Sequence, residues 1–251
     1  MRNAHSPLVF AAILLALAVT AVPAIAEVHE EFHKTVAMDA DGIFSVKNVN
    51  GNVKVEAWDR NEVQIDAVKN GRDEQKLREA RIEVMGSGHS VDVETKYPSN
   101  SNNSASVDYT IRVPRNASLR QAETVNGSVK IDGTRGRIKA SAVNGSVEVW
   151  NAAGELELNT VNGEVKASLA NPGAKRVKLN TVNGGASILL PASANAHVKA
   201  RTVNGSIHSD LPLTVEKSKY APGASVDSNL GSGGETIEIE SVNGSIYLHK
   251  I

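Results

Sequence analysis

The first residues in this chain with the makings of a reaction centre are His29-Glu30-Glu31-Phe32-His33, a literal H-E-x-x-H. On a helix, two histidines at that spacing converge on one zinc ion while the glutamate activates a bound water. Here the segment has no helical pattern around it and runs directly into the strand-like Phe32-His33-Lys34-Thr35-Val36. On a strand, residues four apart are separated by ~13 Å, too far to share an ion. Spacing places no third ligand, so no metal is assigned. Asp39-Ala40-Asp41-Gly42 has calcium-like spacing without the rest of a binding loop, and reads as a turn. Trp58 and Trp150 could stack on a ligand, but a single Trp at a strand end more often seals a core or cap. Cysteine is absent, which removes disulfides, thiolate metal sites and thiol nucleophiles.

The elements around these residues start with a leader. Arg2, the uncharged apolar run Leu8 to Val22 and the small-x-small Ala24-Ile25-Ala26 have the form of a signal peptide. Cleavage is expected after Ala26, giving signal peptide 1–26 and a mature chain starting at Glu27. The run is shorter than the ~20 apolar residues that cross a bilayer, and no membrane span is expected after cleavage. A periplasmic or secreted protein follows. The chain has 27 Lys and Arg against 28 Asp and Glu; loss of Arg2 leaves a net charge of −2, which argues against nucleic acid as a partner.

Self-similarity decides the architecture. Val-Asn-Gly recurs with its last two residues at Asn50-Gly51, Asn126-Gly127, Asn144-Gly145, Asn162-Gly163, Asn183-Gly184, Asn204-Gly205 and Asn243-Gly244. From Asn126 the steps are 18, 18, 21, 21 and 39, and the step from Asn50 to Asn126 is 76. The last two resemble two and four periods, with a degenerate or interrupted copy between Ser209 and Glu235. Apolar columns flank each copy: Val46, Ala122, Ala140, Leu158, Leu179, Ala200 and Ile239 stand four before the Asn, and pairs such as Val129/Ile131 stand after it. Polar residues alternate with them, so each repeat reads as strand, Asn-Gly corner, strand, with one face inward. Asn and Gly suit the corner because both tolerate positive φ. Four copies continue to Ser and match the glycosylation sequon, which the corner already explains.

Two folds use such a unit. In an antiparallel meander or sandwich, Asn-Gly is a two-residue hairpin turn. In a β-solenoid of ~18–21-residue coils, like positions stack ~4.8 Å apart and the asparagines form a structural turn ladder. The solenoid is favoured because a meander leaves an apolar face uncovered, and because hairpin pairing would expose each Val of Val-Asn-Gly. Residues 27–115 read as a less regular N-terminal β region with one short helix, Arg72 to Ala80, that caps the repeats at 116–251. Ser99 to Ser106 reads as a polar loop tip. Glycoside cleavage would need two carboxylates ~5–9 Å apart. The outward columns mix signs instead, as in Lys54, Lys130, Glu148, Lys166, and hold no acid cluster.

These residues resemble a bacterial adhesin-labelled family of unknown function, a β-strand-repeat domain of the cell envelope. The resemblance covers about Phe32 to Ile251. It includes Asn50-Gly51, Trp58-Asp59, the helix near Arg72, Val107-Asp108-Tyr109-Thr110-Ile111-Arg112-Val113-Pro114, Gly231-Ser232-Gly233-Gly234 and Val242-Asn243-Gly244-Ser245-Ile246. It implies a β-solenoid-like fold and an extracytoplasmic location, with no established enzymatic activity. The expectation is a non-catalytic, cofactor-free interaction module that presents a polar β face to an envelope protein or glycan. The alternative is an envelope hydrolase, zinc-dependent or polysaccharide-acting.

Overall fold

The computed structural model describes residues 28–98, 105–170, 175–217 and 222–251. The leader and positions 99–104 of the polar tip lie outside the described residues. The N-terminal part comprises β1 (Val28–Lys47), β2 (Val53–Trp58), β3 (Glu62–Gly71), helix α1 (Glu74–Glu79), β4 (Arg81–Lys96) and β5 (Ser106–Pro114). The next repeats are β6 (Ser118–Asn126) with β7 (Val129–Asp132), β8 (Ile138–Asn144) with β9 (Val147–Ala152), β10 (Leu156–Asn162) with β11 (Val165–Leu169) and β12 (Arg176–Asn183) with β13 (Ala186–Leu190). The chain ends with β14 (Ala196–Asn204), β15 (Ile207–Ser209), β16 (Glu216–Lys217), β17 (Ala224–Leu230), β18 (Glu235–Asn243) and β19 (Ile246–Lys250).

The architecture is a β-solenoid. Strands flanking one Asn-Gly do not pair with each other, as a hairpin would require; each pairs in parallel with its counterparts in neighbouring coils. Leu158 lies between Ala140 and Leu179, and Asn162 between Asn144 and Asn183. Strands entering the corners form one sheet, here called the entry sheet, and strands leaving them form the exit sheet. The exit sheet repeats the same register, with Val165 between Val147 and Ala186. β1 belongs to both: its first half pairs with β3 in the exit sheet and its last five residues pair with β4 and β6 in the entry sheet. Alternate residues of both sheets point into one continuous core of Val, Ile, Leu and Ala, with Phe44 and Tyr109 its bulkiest members. Branched aliphatic side chains and Ala fill most of the space between the two facing sheets, so few aromatics are needed.

Along the stack the coils do not follow chain order. The sequence of places is β4/β5, β1/β2, β6/β7, β8/β9, β10/β11, β12/β13, β18/β19 and β14/β15. The first and last corners of the chain therefore occupy the second and seventh places. This corrects the reading of the long steps: Asn204 pairs with Asn243, so the step of 39 holds no extra coil, and the step of 76 holds one, β4/β5, at the first place, while Asn50 bridges directly to Asn126. The intervening residues return antiparallel, as β3 beside β1 and β5 at one end and as β17 beside β14 at the other.

Outward charges in the entry sheet encode this order. One row runs Lys139, Glu157, Lys178, Glu238, Lys199, Asp227 across adjacent strands, alternating in sign at every step. Close pairs within it are Lys139 with Glu157 at 3.2 Å and Lys178 with Glu238 at 3.7 Å. Stacking β14 directly on β12, as chain order would have it, sets Lys199 beside Lys178. At the other end Lys47 lies between Glu94 and Glu123; chain order would set those two acids side by side. Exposed pairs are individually weak, about 0–1 kcal/mol, but like charges directly opposite are destabilising, so on this face the charges favour the observed order.

Helix α1 packs against β1, β3 and β4 at the N-terminal end of the core. α1 starts at the N-cap Asp73, whose carboxylate accepts the Lys76 N–H at 2.9 Å, and inserts Leu77 into the core. Lys69 is buried at the mouth of the core with its Nζ donating to Glu30 at 2.8 Å. Asp39 to Gly42 is not a free turn. It lies within β1 at the register shift where the strand passes between the sheets.

Candidate interaction surface

The corners form one edge of the stack. Each asparagine Nδ2 donates to the Oδ1 of the next: Asn126 to Asn50, Asn144 to Asn126, Asn162 to Asn144, Asn183 to Asn162, Asn243 to Asn183 and Asn204 to Asn243, all at 2.8–2.9 Å. These bonds, not backbone conformation, account for the asparagines. Among the described residues the sole non-glycine with positive φ is Asn151, so the expectation that the corner asparagines need positive φ is overturned. The glycines have a separate cause. A Cβ on Gly145 would stand 1.9 Å from the carbonyl oxygen of Gly127 in the neighbouring coil, and one on Gly163 would stand 2.2 Å from that of Gly145.

Two residues before the Asn, a buried hydroxyl donates to the glycine carbonyl of the adjacent coil. Thr124 reaches Gly51, Thr160 Gly145, Thr181 Gly163, Thr202 Gly244 and Ser241 Gly184, at 2.7–3.1 Å. Ala142 holds this position opposite Gly127 and has no hydroxyl. At the second place Asn48 substitutes, donating Nδ2 to the carbonyls of Asn50, Gly51 and Val107. No sequence signal but the recurring Thr pointed to this row.

Between the hydroxyl row and the ladder stand the valines of Val-Asn-Gly. They are 37–44% exposed in all seven copies. Their exposure was held against the hairpin fold, yet the solenoid exposes them as well. The strand buries the residues two positions apart at Ala122 and Thr124 and their counterparts, so period-two alternation turns the Val outward, and the exposed ladder Asn follows it at the corner. The result is a straight aliphatic ridge bordered by amides.

The outer face of the exit sheet differs. Like charges adjoin along the stack, Lys54 beside Lys130 and Glu56 beside Asp132, and pairing runs along the strand, with Lys54 Nζ 2.6 Å from Glu56. That lysine holds the Glu56 carboxyl below the usual range, as the Arg115 guanidinium does for Asp59. Toward the far end, rings replace charges. His208 and Tyr247 on adjacent strands stack with centroids 5.2 Å apart, and Tyr247 and His249 lie 6.0 Å apart with planes within 7°. His249 Nδ1 is 2.9 Å from Asp210. Trp150 carries the Lys166 ammonium 4.9 Å above its ring and donates Nε1–H to Glu148. Trp58 donates to the Glu62 carbonyl beneath Arg60.

The H-E-x-x-H segment is extended within β1. His29 and His33 point to separate partners, Asn70 at 2.6 Å and Asp66 at 2.9 Å, and the carboxylates of Asp66 and Glu31, accepting hydrogen bonds from the His33 ring, raise its pKa. A hollow of about 510 Å³ beside the β6 bulge is lined by Ile43, Leu119, Arg120, Arg137 and Lys139. Its cations are already engaged: Arg120 lies 2.6 Å from Asp92 and Lys139 3.2 Å from Glu157. In the core, burial pushes the Tyr109 phenol up; it hydrogen-bonds Thr95 at 2.7 Å.

Residues 35–249 match the family described as Toastrack DUF4097. Among solved structures, a candidate cell adhesion protein from Clostridium sporogenes ATCC 15579 is similar, with a TM-score of 0.54 at 17% identity over 89% of this chain and 100% of that one. A candidate adhesin from Bacteroides fragilis NCTC 9343 gives 0.39 at 14% identity, over 88% of this chain and 97% of that one. A third, from Parabacteroides merdae ATCC 43184, gives 0.34 at 12% identity over 72% and 69%. The first likeness shows a shared fold. No curated protein matches the chain.

Proposed function

This chain belongs to the Toastrack DUF4097 family, and from that premise we propose that it is an exported, non-catalytic interaction module of the cell envelope. The leader is removed after Ala26, and the mature protein acts in the periplasm or outside the cell. Residues 27–115 serve as the cap of the array at 116–251, and the Asn-Gly ladder from Asn50 to Gly244 is structural. The outer face of the exit sheet meets an envelope protein or glycan. The observation that carries this reading is the exposed ring row His208, Tyr247, His249, held on rigid strands with Tyr247 39% exposed. Flat rings on a fixed backbone suit stacking against a sugar face or an apolar side chain.

Charge placement favours binding over catalysis. A general acid needs a carboxyl whose pKa is raised toward neutrality. The outward acids of the entry sheet sit singly beside lysines, as Glu157 does beside Lys139 and Glu238 beside Lys178, and form no carboxylate pair among the described residues. Glu235 is raised by partial burial, but it stands where β18 begins, away from the ring row.

The test is binding of purified mature protein to isolated envelope glycans and envelope protein fractions, with a Tyr247→Ala, His208→Ala variant as the face-specific control. Binding that falls at least tenfold in the variant supports the reading. Undiminished binding, or turnover of any bound polymer, sinks it. N-terminal sequencing of the envelope-extracted protein should begin at Glu27.

A further inference from the structure

The entry-sheet face carries a second, self-complementary pattern. Its rows run parallel to the stack: the ladder, the valine ridge, a row three before each Asn, and the alternating row five before it. In place order the third of these reads Glu94, Lys47, Glu123, Ser141, Asn159, Asn180, Glu240, Arg201. Its centre is uncharged and its ends carry opposite sequences of sign.

From this we infer that the entry-sheet face is where a second copy of this chain docks, as a two-fold dimer. The axis lies along the strand direction between the Asn144 and Asn162 coils. That rotation turns the stack end for end while keeping every row opposite itself, so valines meet valines and amides meet amides. Lys47 then faces Glu240 of the second copy, Glu94 faces Arg201, and in the next row Lys139 faces Glu157. Each contact occurs twice, as an isologous interface requires.

The register is narrow. With the axis on the Asn162 coil, Lys47 meets Arg201 and Lys139 meets Lys178. With the axis on the Asn144 coil, Glu94 meets Glu240. In the favoured register the one like-signed approach is Arg120 toward Lys178, and Asp92 holds that guanidinium against its own chain at 2.6 Å. Eight coils at ~4.8 Å and about five residues of strand give a face of ~34 by ~17 Å. That is roughly 600 Å² in projection, and side-chain relief takes it toward the about 800 Å² per partner of a stable interface. The half-exposed valine ridge, one position in from the corner edge, supplies the apolar strip that such a patch needs.

This goes beyond the proposed function and leaves the exit-sheet face free, so the two fail separately. The purified protein is expected to show twice its chain mass by light scattering. Val143→Glu should weaken the dimer at least tenfold while leaving the melt of the dilute, monomeric protein unchanged, since Val143 is already 40% exposed. Tyr247→Ala should leave the dimer intact. The chain has no cysteine, so register can be read by oxidation. Val49→Cys chains mixed with Val242→Cys chains should cross-link, and Val49→Cys chains mixed with Val203→Cys chains should not. A monomer at every concentration, a dimer indifferent to Val143→Glu, or the reversed cross-linking pattern overturns the inference.

Discussion

Replacing Gly145 with alanine places a Cβ 1.9 Å from the carbonyl oxygen of Gly127 and 2.5 Å from its carbon. An ordinary contact between such atoms is over 3 Å, so the two coils must part by more than an ångström at the corner. Both partners of the clash are backbone, and no rotamer relieves it. Opening there breaks the bonds from Gly127 N–H to Asn144 and from Val129 N–H to Ser146, 3.0 and 2.9 Å long. Each buried bond left unmade costs ~1–3 kcal/mol, so about 3–5 kcal/mol is expected for the pair. Gly88 supplies the control: its φ is +64° but nothing lies within 4 Å of the added Cβ. Gly88→Ala should therefore cost only the left-handed backbone penalty, ~1–2 kcal/mol. At ~2–4 °C per kcal/mol for a chain of this size, circular-dichroism melts should fall by roughly 6–20 °C for Gly145→Ala and 2–8 °C for Gly88→Ala. If Gly145→Ala melts no earlier than Gly88→Ala, close stacking of the corners is not what demands glycine there.

Three further outcomes are expected. Ala142→Thr adds the hydroxyl that Thr124 and Thr160 supply in the adjacent coils, and should stabilise the protein by about 0.5–1.5 kcal/mol, read as a higher urea midpoint. Glu238→Lys sets three lysines in adjacent strands and should lower the melting temperature by several degrees at low salt, with much of the loss recovered at high salt as the charges are screened; a salt-independent loss would discount the charge-order argument. His33 has a folded pKa raised by Asp66 and Glu31, so its contribution is fully present below the unfolded value near 6.5 and disappears as pH rises through the folded value. An imidazole NMR titration should show a midpoint above 6.5 that drops in Asp66→Asn.

The coil itself was legible in the chain because its signal is local. The apolar columns through Leu158 and Leu179 predict burial, and the structure buries both completely. A repeat length says how far the chain travels per coil, however, and is silent on which coil lies next to it. The step of 39 therefore suggested an extra coil, and the step of 76 several, where the chain in fact doubles back and adds only β4/β5. The cue that could have resolved this was electrostatic: Lys178 and Lys199 occupy equivalent positions in consecutive repeats, an arrangement that calls for an acid between them. Val125 and its counterparts misled for a different reason, since hydrophobicity predicts burial only where alternation allows it. His208 and Tyr247 already fall in one outward column of the sequence, but their stacking on each other, and the place of His249 beside them, come only from the insertion of β19, which pairs with β15.

That insertion has a mechanical consequence. β18 is gripped between β12 and β14, and β19 between β13 and β15. Tension applied at the carboxyl end must drag a strand lengthwise past two partners, loading many bonds in shear at the same moment. At the amino end the first half of β1 pairs with β3 alone, and a pull there can peel it away bond by bond. The molecule thus has a yielding end and an anchored one, and a tether fixed at its carboxyl terminus would hold against loads that strip the other.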